Sequence, residues 1–261
     1  MVVSCPLPAF CAMRILNVLA LVIPITLQIC IMVLLLKRRL QRRFAWFFFY
    51  TIYSLFELIA RLAVSGNYGM YFKVYWSTEP MDECIMVLAL RESFLSIFWP
   101  ETRLRWFRWV FWGGIGVGLV YSCWEAWALP PRMPSRLMWL AIDFEFGLNT
   151  VVSIFGLLYG GFIRLFGILE HQRASAIIFG FTANGLIANL GWITRSFFGT
   201  RFKLFSGLIV AMAYIVGEII WTRDLLRPEW KLPESNLTLE EMTAVMARYV
   251  ALLQRYLGRE A

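Results

Sequence analysis

The residues of this sequence with chemistry to offer are carboxylates set within oily stretches. Glu57 and Arg61 stand four residues apart, and so on one helical face, inside the apolar run 44–64. The segment Thr78-Glu79-Pro80-Met81-Asp82-Glu83 gathers three acids in six residues. Farther on, Asp143 precedes a stripe of Glu145, Asn149 and Ser153, each four residues from the last. Carboxylates brought together away from water can hold a cation, carry a proton or receive a polar headgroup. A charged side chain inside hydrocarbon costs ~2.5–3.5 kcal/mol on insertion scales, so each of these acids raises a question of function.

Each group also has a plainer reading. Glu57 and Arg61 can neutralise one another as a structural ion pair, with Arg61 reaching toward the nearby surface. Thr78-Glu79-Pro80 has the composition of a helix start, because proline suits the first turn and acids suit its exposed N–H groups. The stripe on 145–153 can hydrogen-bond across to Thr182, Asn184 and Asn189 of a neighbouring helix.

The elements that position these groups follow from composition. The chain has 261 residues, 60% apolar and 16% charged, whereas a soluble domain runs at about 45–50% apolar and about 25% charged. Apolar stretches at 15–36, 44–64, 79–98, 109–127, 137–159, 176–192 and 204–221 predict an all-α membrane protein, a seven-transmembrane-helix bundle. Lys37, Arg38, Arg39, Arg42 and Arg43 put five cations within seven residues after the first stretch, which marks that connection as cytoplasmic. Arg103, Arg105 and Arg108, then Arg164, His171 and Arg173, fall on the same side. The predicted organisation is an outer segment 1–14, a seven-span domain 15–222 and a cytoplasmic tail 223–261, in the inner (plasma) membrane with the N-terminus outside. On this topology Glu57, Glu79, Asp82, Glu83, Glu125, Asp143 and Glu145 all lie in the outer half.

The tail has a different grammar. Beyond Pro228 and Pro233, Thr238 and Glu241 fit a capping box, and Leu239, Met242, Met246, Tyr249, Leu253 and Tyr256 recur at spacings of three and four. They predict a short amphipathic helix that docks on the inner face or headgroups, or associates with a second copy. Gly114 and Gly118, and Gly156 and Gly160, have the small-x-x-x-small spacing of close helix contacts.

Several classes are excluded. A net charge of +8 would suggest nucleic acid in a soluble chain, but the positive-inside pattern accounts for much of it, and no nucleic-acid partner is expected. Cys5, Cys11, Cys30, Cys84 and Cys123 form no Cys-x-x-Cys pair and no zinc pattern. His171 is the sole histidine, which removes multi-histidine metal sites, paired haem ligands and a Ser-His-Asp triad. The run Gly113–Gly118 lacks the strand–turn–helix setting of a dinucleotide loop. No metal site and no cofactor is expected, and enzymatic options shrink to carboxylate acid catalysis. Toward the inner side, Glu218 is expected to meet Arg91 or the basic loops.

The stretch from Tyr71 to Pro80, with Tyr75-Trp76 followed by Glu79, resembles an uncharacterised group of small bacterial multi-spanning proteins that carry a Tyr-Trp-x-x-Glu segment before the third span and a short cytoplasmic C-terminal helix. That group has no known activity to transfer. The expectation is a non-enzymatic sensing, scaffolding or interaction module with an outward-facing acidic pocket lined by Glu57, Arg61, Glu79, Glu83, Asp143, Glu145 and Asn149. Its partners would be the bilayer, a lipid or small-molecule ligand, and a protein at the cytoplasmic face or a second copy. The competing class is a carrier or carboxylate-dependent membrane enzyme acting on a lipid-like or cationic substrate.

Overall fold

The computed structural model describes residues 7–97, 105–128, 136–166, 172–198 and 203–227. Helix accounts for 94% of these and no strand occurs among them. The seven α-helices are α1 (Leu7–Lys37), α2 (Ala45–Ala63), α3 (Tyr68–Ile97), α4 (Arg105–Ala128), α5 (Arg136–Phe166), α6 (Gln172–Phe198) and α7 (Lys203–Leu226). The proposed tail helix, the Pro130-Pro131 turn, His171 and Cys5 lie outside the described residues.

Four segments are long and apolar enough to cross a membrane: Ala45–Ala63, Ile142–Gly161, Arg173–Thr194 and Phe205–Leu226. Helix α3 is not among them, since Glu79, Asp82, Glu83, Arg91 and Glu92 interrupt its apolar residues. A count of seven crossings therefore goes beyond what length and composition establish for the described residues.

Helix starts differ from the sequence expectation at two places. Helix α1 begins at Leu7, inside the predicted outer segment, and keeps Pro24 in its interior. Helix α3 begins at Tyr68, not at Thr78. Its cap is Asn67, whose Oδ1 accepts from the backbone N–H of Gly69 (3.1 Å) and Met70 (3.2 Å). Pro80 thus sits mid-helix, where it removes one backbone hydrogen bond, and the acids beside it are not capping groups.

Close approaches fix the bundle. A methyl group added at Gly156 would overlap Thr182, and one at Gly180 would overlap the Trp221 indole, so α5–α6 and α6–α7 contact depends on those glycines. Gly114 and Gly118 face Phe155 and Val151 of α5. Both small-residue pairs therefore pack as their spacing predicts. Helix α3 lies against α2, α5 and α6, while α1 lies against α2 and α7. Rings of Phe47 and Tyr50 (α2), Phe181 (α6) and Trp221 (α7) meet edge to face with centroids 4.9–6.1 Å apart.

One end of the bundle is basic and tied together. Arg38 donates to the carbonyls of Leu226 (2.9 Å) and Arg227 (2.6 Å), satisfying the C-terminus of α7. Arg43 donates to Ser96 Oγ at 3.3 Å. Glu92, from α3, accepts from the backbone N–H groups of Ala45 (2.9 Å), Trp46 (2.9 Å) and Phe47 (3.3 Å), so it caps the start of α2 from a neighbouring helix.

Candidate functional site

Helices α2 and α3 run antiparallel away from this basic end, and their far halves carry the acids. Glu57 and Glu79 both accept hydrogen bonds from the same Arg61 guanidinium. The i,i+4 pair read from sequence is therefore one half of a three-residue ion cluster. The Arg61 guanidinium also lies 4.3 Å from the centre of the Tyr75 ring. Tyr75 and Glu79 are i,i+4 neighbours on α3, so the Tyr-Trp-x-x-Glu segment is a clamp on Arg61, one residue stacking and the other pairing.

Glu83 follows Glu79 by one turn on the same face, and Glu145 reaches them from α5. One carboxylate oxygen of each of Glu79, Glu83 and Glu145 lies within 4.8 Å of the others. Trp192 Nε1 of α6 donates a long bond to Glu145 at 3.4 Å. Asp82 is buried beside them, in the electrostatic field of Glu57, Glu79 and Glu145. Glu57, Glu79, Asp82, Glu83 and Glu145 are each only 4–7% exposed. Together they make one buried acidic group, the acidic chamber.

Among the described residues, five carboxylates thus share one guanidinium, which leaves four formal negative charges for protons or a bound cation to neutralise. One oxygen of Asp82 and the second oxygens of Glu83 and Glu145 have no hydrogen-bond partner, although buried. Such orphaned acceptors are uncommon away from functional sites. The phenols of Tyr50 and Tyr214 stand within electrostatic reach of the same acids. Both tyrosines have polar neighbours at helical spacing, Ser54 and Glu57 for Tyr50 and Glu218 for Tyr214, but the α3 acids reach them only through helix packing, which sequence spacing does not disclose.

The remaining candidates are distributed around this centre. Asn149 is 4% exposed and its carbonyl, with Ser153 Oγ, abuts Gly185 of α6, so the polar stripe of α5 does face α6 as expected. Asn189 donates to Thr150 Oγ1 at 3.1 Å, a partner adjacent to the stripe and not on it. Asp143 is buried but two residues before Glu145, about 200° around the helix. Its backbone carbonyl accepts from Ser122 of α4 at 2.8 Å, and it does not belong to the acid group. The Glu125 side chain lies outside those described.

Glu218 does not meet Arg91. Arg91 instead lies 5.9 Å from the centre of the Trp112 ring on α4. Glu218 is 1% exposed on α7, and Gln28 is a polar neighbour of it. Gln28 also donates to Ser54 Oγ at 2.8 Å. Tyr50 stands within electrostatic reach of Asp82, Glu83 and Glu57 and also of Glu218. Set against known protein families, curated proteins and solved structures, the chain matches none of them.

Proposed function

We propose that this is a seven-crossing helical protein of a bacterial inner membrane, acting as a non-enzymatic sensing or interaction module whose outer-half acidic chamber receives a cation or a cationic headgroup. In this reading the seven helices cross in alternating directions. Large apolar side chains on α4, among them Val117 (70%), Val120 (70%) and Trp124 (71%), point outward, as a lipid-facing surface requires. With the basic end at the cytoplasm by the positive-inside rule, the N-terminus is outside and the chamber sits in the outer half. The bacterial assignment draws on the resemblance carried by Tyr71 to Pro80. The tail is the candidate contact for a cytoplasmic protein or a second copy, and nucleic acid has no place in this reading.

The observation that carries the proposal is the charge imbalance: among the described residues, Arg61 is the one cation paired with the group of five buried carboxylates. Only a species that brings positive charge relieves it without dismantling the bundle. The test is thermal unfolding of the purified full chain in detergent, with sodium, tetramethylammonium or magnesium chloride at matched ionic strength. A cation-specific rise in midpoint, lost in E83Q and E145Q, supports the chamber; no difference among the salts refutes it.

Glu218 favours a second reading, the carrier. A buried carboxylate about 12 Å from the α7 C-terminus, near Gln28 and within electrostatic reach of Tyr50, adds a further polar group toward the basic end. In proteoliposomes enclosing a pH-reporting dye, a carrier moves protons when a cation gradient is imposed, and E218Q abolishes the signal. A silent dye with intact cation stabilisation leaves the sensing module.

A further inference from the structure

The acids of the chamber are unequal in their partners. Glu57 and the shared Glu79 are engaged by Arg61, whereas Glu83 and Glu145, each 6% exposed, keep an oxygen with no donor. Those two side chains and Glu79 converge until their oxygens stand within 4.8 Å of one another. Oxygens bound to one calcium ion at ~2.3–2.6 Å stand at most ~5 Å apart, so this spacing suits a common centre, and a smaller ion such as magnesium, at ~2.0–2.1 Å, needs the oxygens to draw in to ~4.2 Å. Like charges that converge in an enclosed site repel unless something sits between them. Two rigid helices supply the three groups, Glu79 and Glu83 one turn apart on α3 and Glu145 on α5.

We infer that Glu79, Glu83 and Glu145 form a binding site for a hard divalent cation of the magnesium, manganese or calcium type. This rests on the chamber reading and specifies its ligand. The ligand atoms are all carboxylate oxygens, which suit these ions, while thiolate and imidazole, preferred by zinc and copper, are missing from the group. Charge favours the dication as well: of the four formal negative charges uncompensated by Arg61, a divalent ion offsets two where a monovalent ion offsets one, and protons can neutralise the rest. Glu79 connects the site to the rest of the bundle, because it belongs both to this triad and to the Arg61 cluster with α2. An ion that draws on Glu79 therefore competes with Arg61 for it, and occupancy is transmitted to the α2–α3 contact.

The test is binding of manganese(II) to the purified full chain, followed by electron paramagnetic resonance. One ion per chain is expected, displaced by magnesium or calcium. E83Q and E145Q are expected to weaken binding by at least about tenfold, since affinity follows the number of charged ligands. E92Q, at the opposite end of the bundle, binds as the wild type does, and R61Q binds more tightly because a competing positive charge is gone. Should a glutamine variant fail to fold, E83D and E145D keep the charge, shorten the reach and give the same ordering. Absence of manganese binding by the folded wild type overturns the site, as does undiminished binding in E83Q and E145Q. If manganese does not bind but sodium or tetramethylammonium still raises the unfolding midpoint, the divalent site falls and the chamber stands; if neither acts, both fall.

Discussion

Replacing Arg61 with methionine isolates the contribution of the guanidinium that, among the described residues, pairs with Glu57 and Glu79. Methionine keeps a long flexible stem against Tyr75, so the change removes charge and hydrogen bonds more than volume. Both carboxylates are buried, 4% and 7% exposed, and each loses its cationic partner. Breaking a buried ion pair from one side costs about 3–5 kcal/mol. The stacking of the guanidinium on Tyr75, 4.3 Å away, adds about 0.5–2 kcal/mol. Taking the ion-pair figure alone, and a midpoint shift of about 2–4 °C per kcal/mol for a chain of this length, R61M should melt ~6–20 °C below the wild type. The assay is the unfolding midpoint of purified protein in a fixed detergent at neutral pH. The triple variant R61M/E57Q/E79Q should recover most of the loss, since two neutral amides no longer need a cation. An R61M midpoint within about 2 °C of the wild type would refute the reasoning, and so would a triple variant that melts no higher than R61M.

The remaining predictions concern packing, capping and orientation. G156A and G180A should each lower stability by about 1–3 kcal/mol in the same assay, because Thr182 and the Trp221 indole occupy the space of the new methyl group. G116A and G207A, which meet nothing within 4 Å, should be neutral or stabilising by up to about 1 kcal/mol. E92A should destabilise by about 1–2 kcal/mol through the uncapped start of α2, read by unfolding and by faster hydrogen exchange at Ala45 to Phe47. In a variant with its native cysteines replaced, a cysteine at Arg39 should react with a membrane-impermeant maleimide only from the cytoplasmic side, and one at Asn67 only from outside; the reverse pattern inverts the topology.

What the sequence discloses about the site follows the reach of helical arithmetic. Spacing of four places Glu57 beside Arg61 and sets Glu145, Asn149 and Ser153 on one face of α5, because those relations are local. The same arithmetic is silent on Glu83 and Glu145, 62 residues apart on different helices, whose meeting depends on how α3 and α5 pack. A search of the sequence for histidine and cysteine motifs therefore finds no metal ligands, since a carboxylate group split across two helices has no linear signature. Pro80 misleads about the start of α3, as proline near acids marks helix starts more often than interiors; the informative residue is Asn67, ten residues before Ser77. Glu218 misleads because depth alone matches it to Arg91, whereas Arg91 points to α4 and α7 packs on α1 and α6.

The hold of Arg38 on the final carbonyls of α7 has a consequence for how the protein is made. By the time α7 leaves the ribosome, α1 has already been synthesised for some two hundred residues with its partner surface uncovered and Gln28 facing no Glu218. The α1 surface that packs on α7 is therefore covered only once α7 has been made, and the Arg38 contact closes that pairing. Mutations at the Arg38 contact should accordingly reduce the yield of assembled protein more than the stability of whatever assembles.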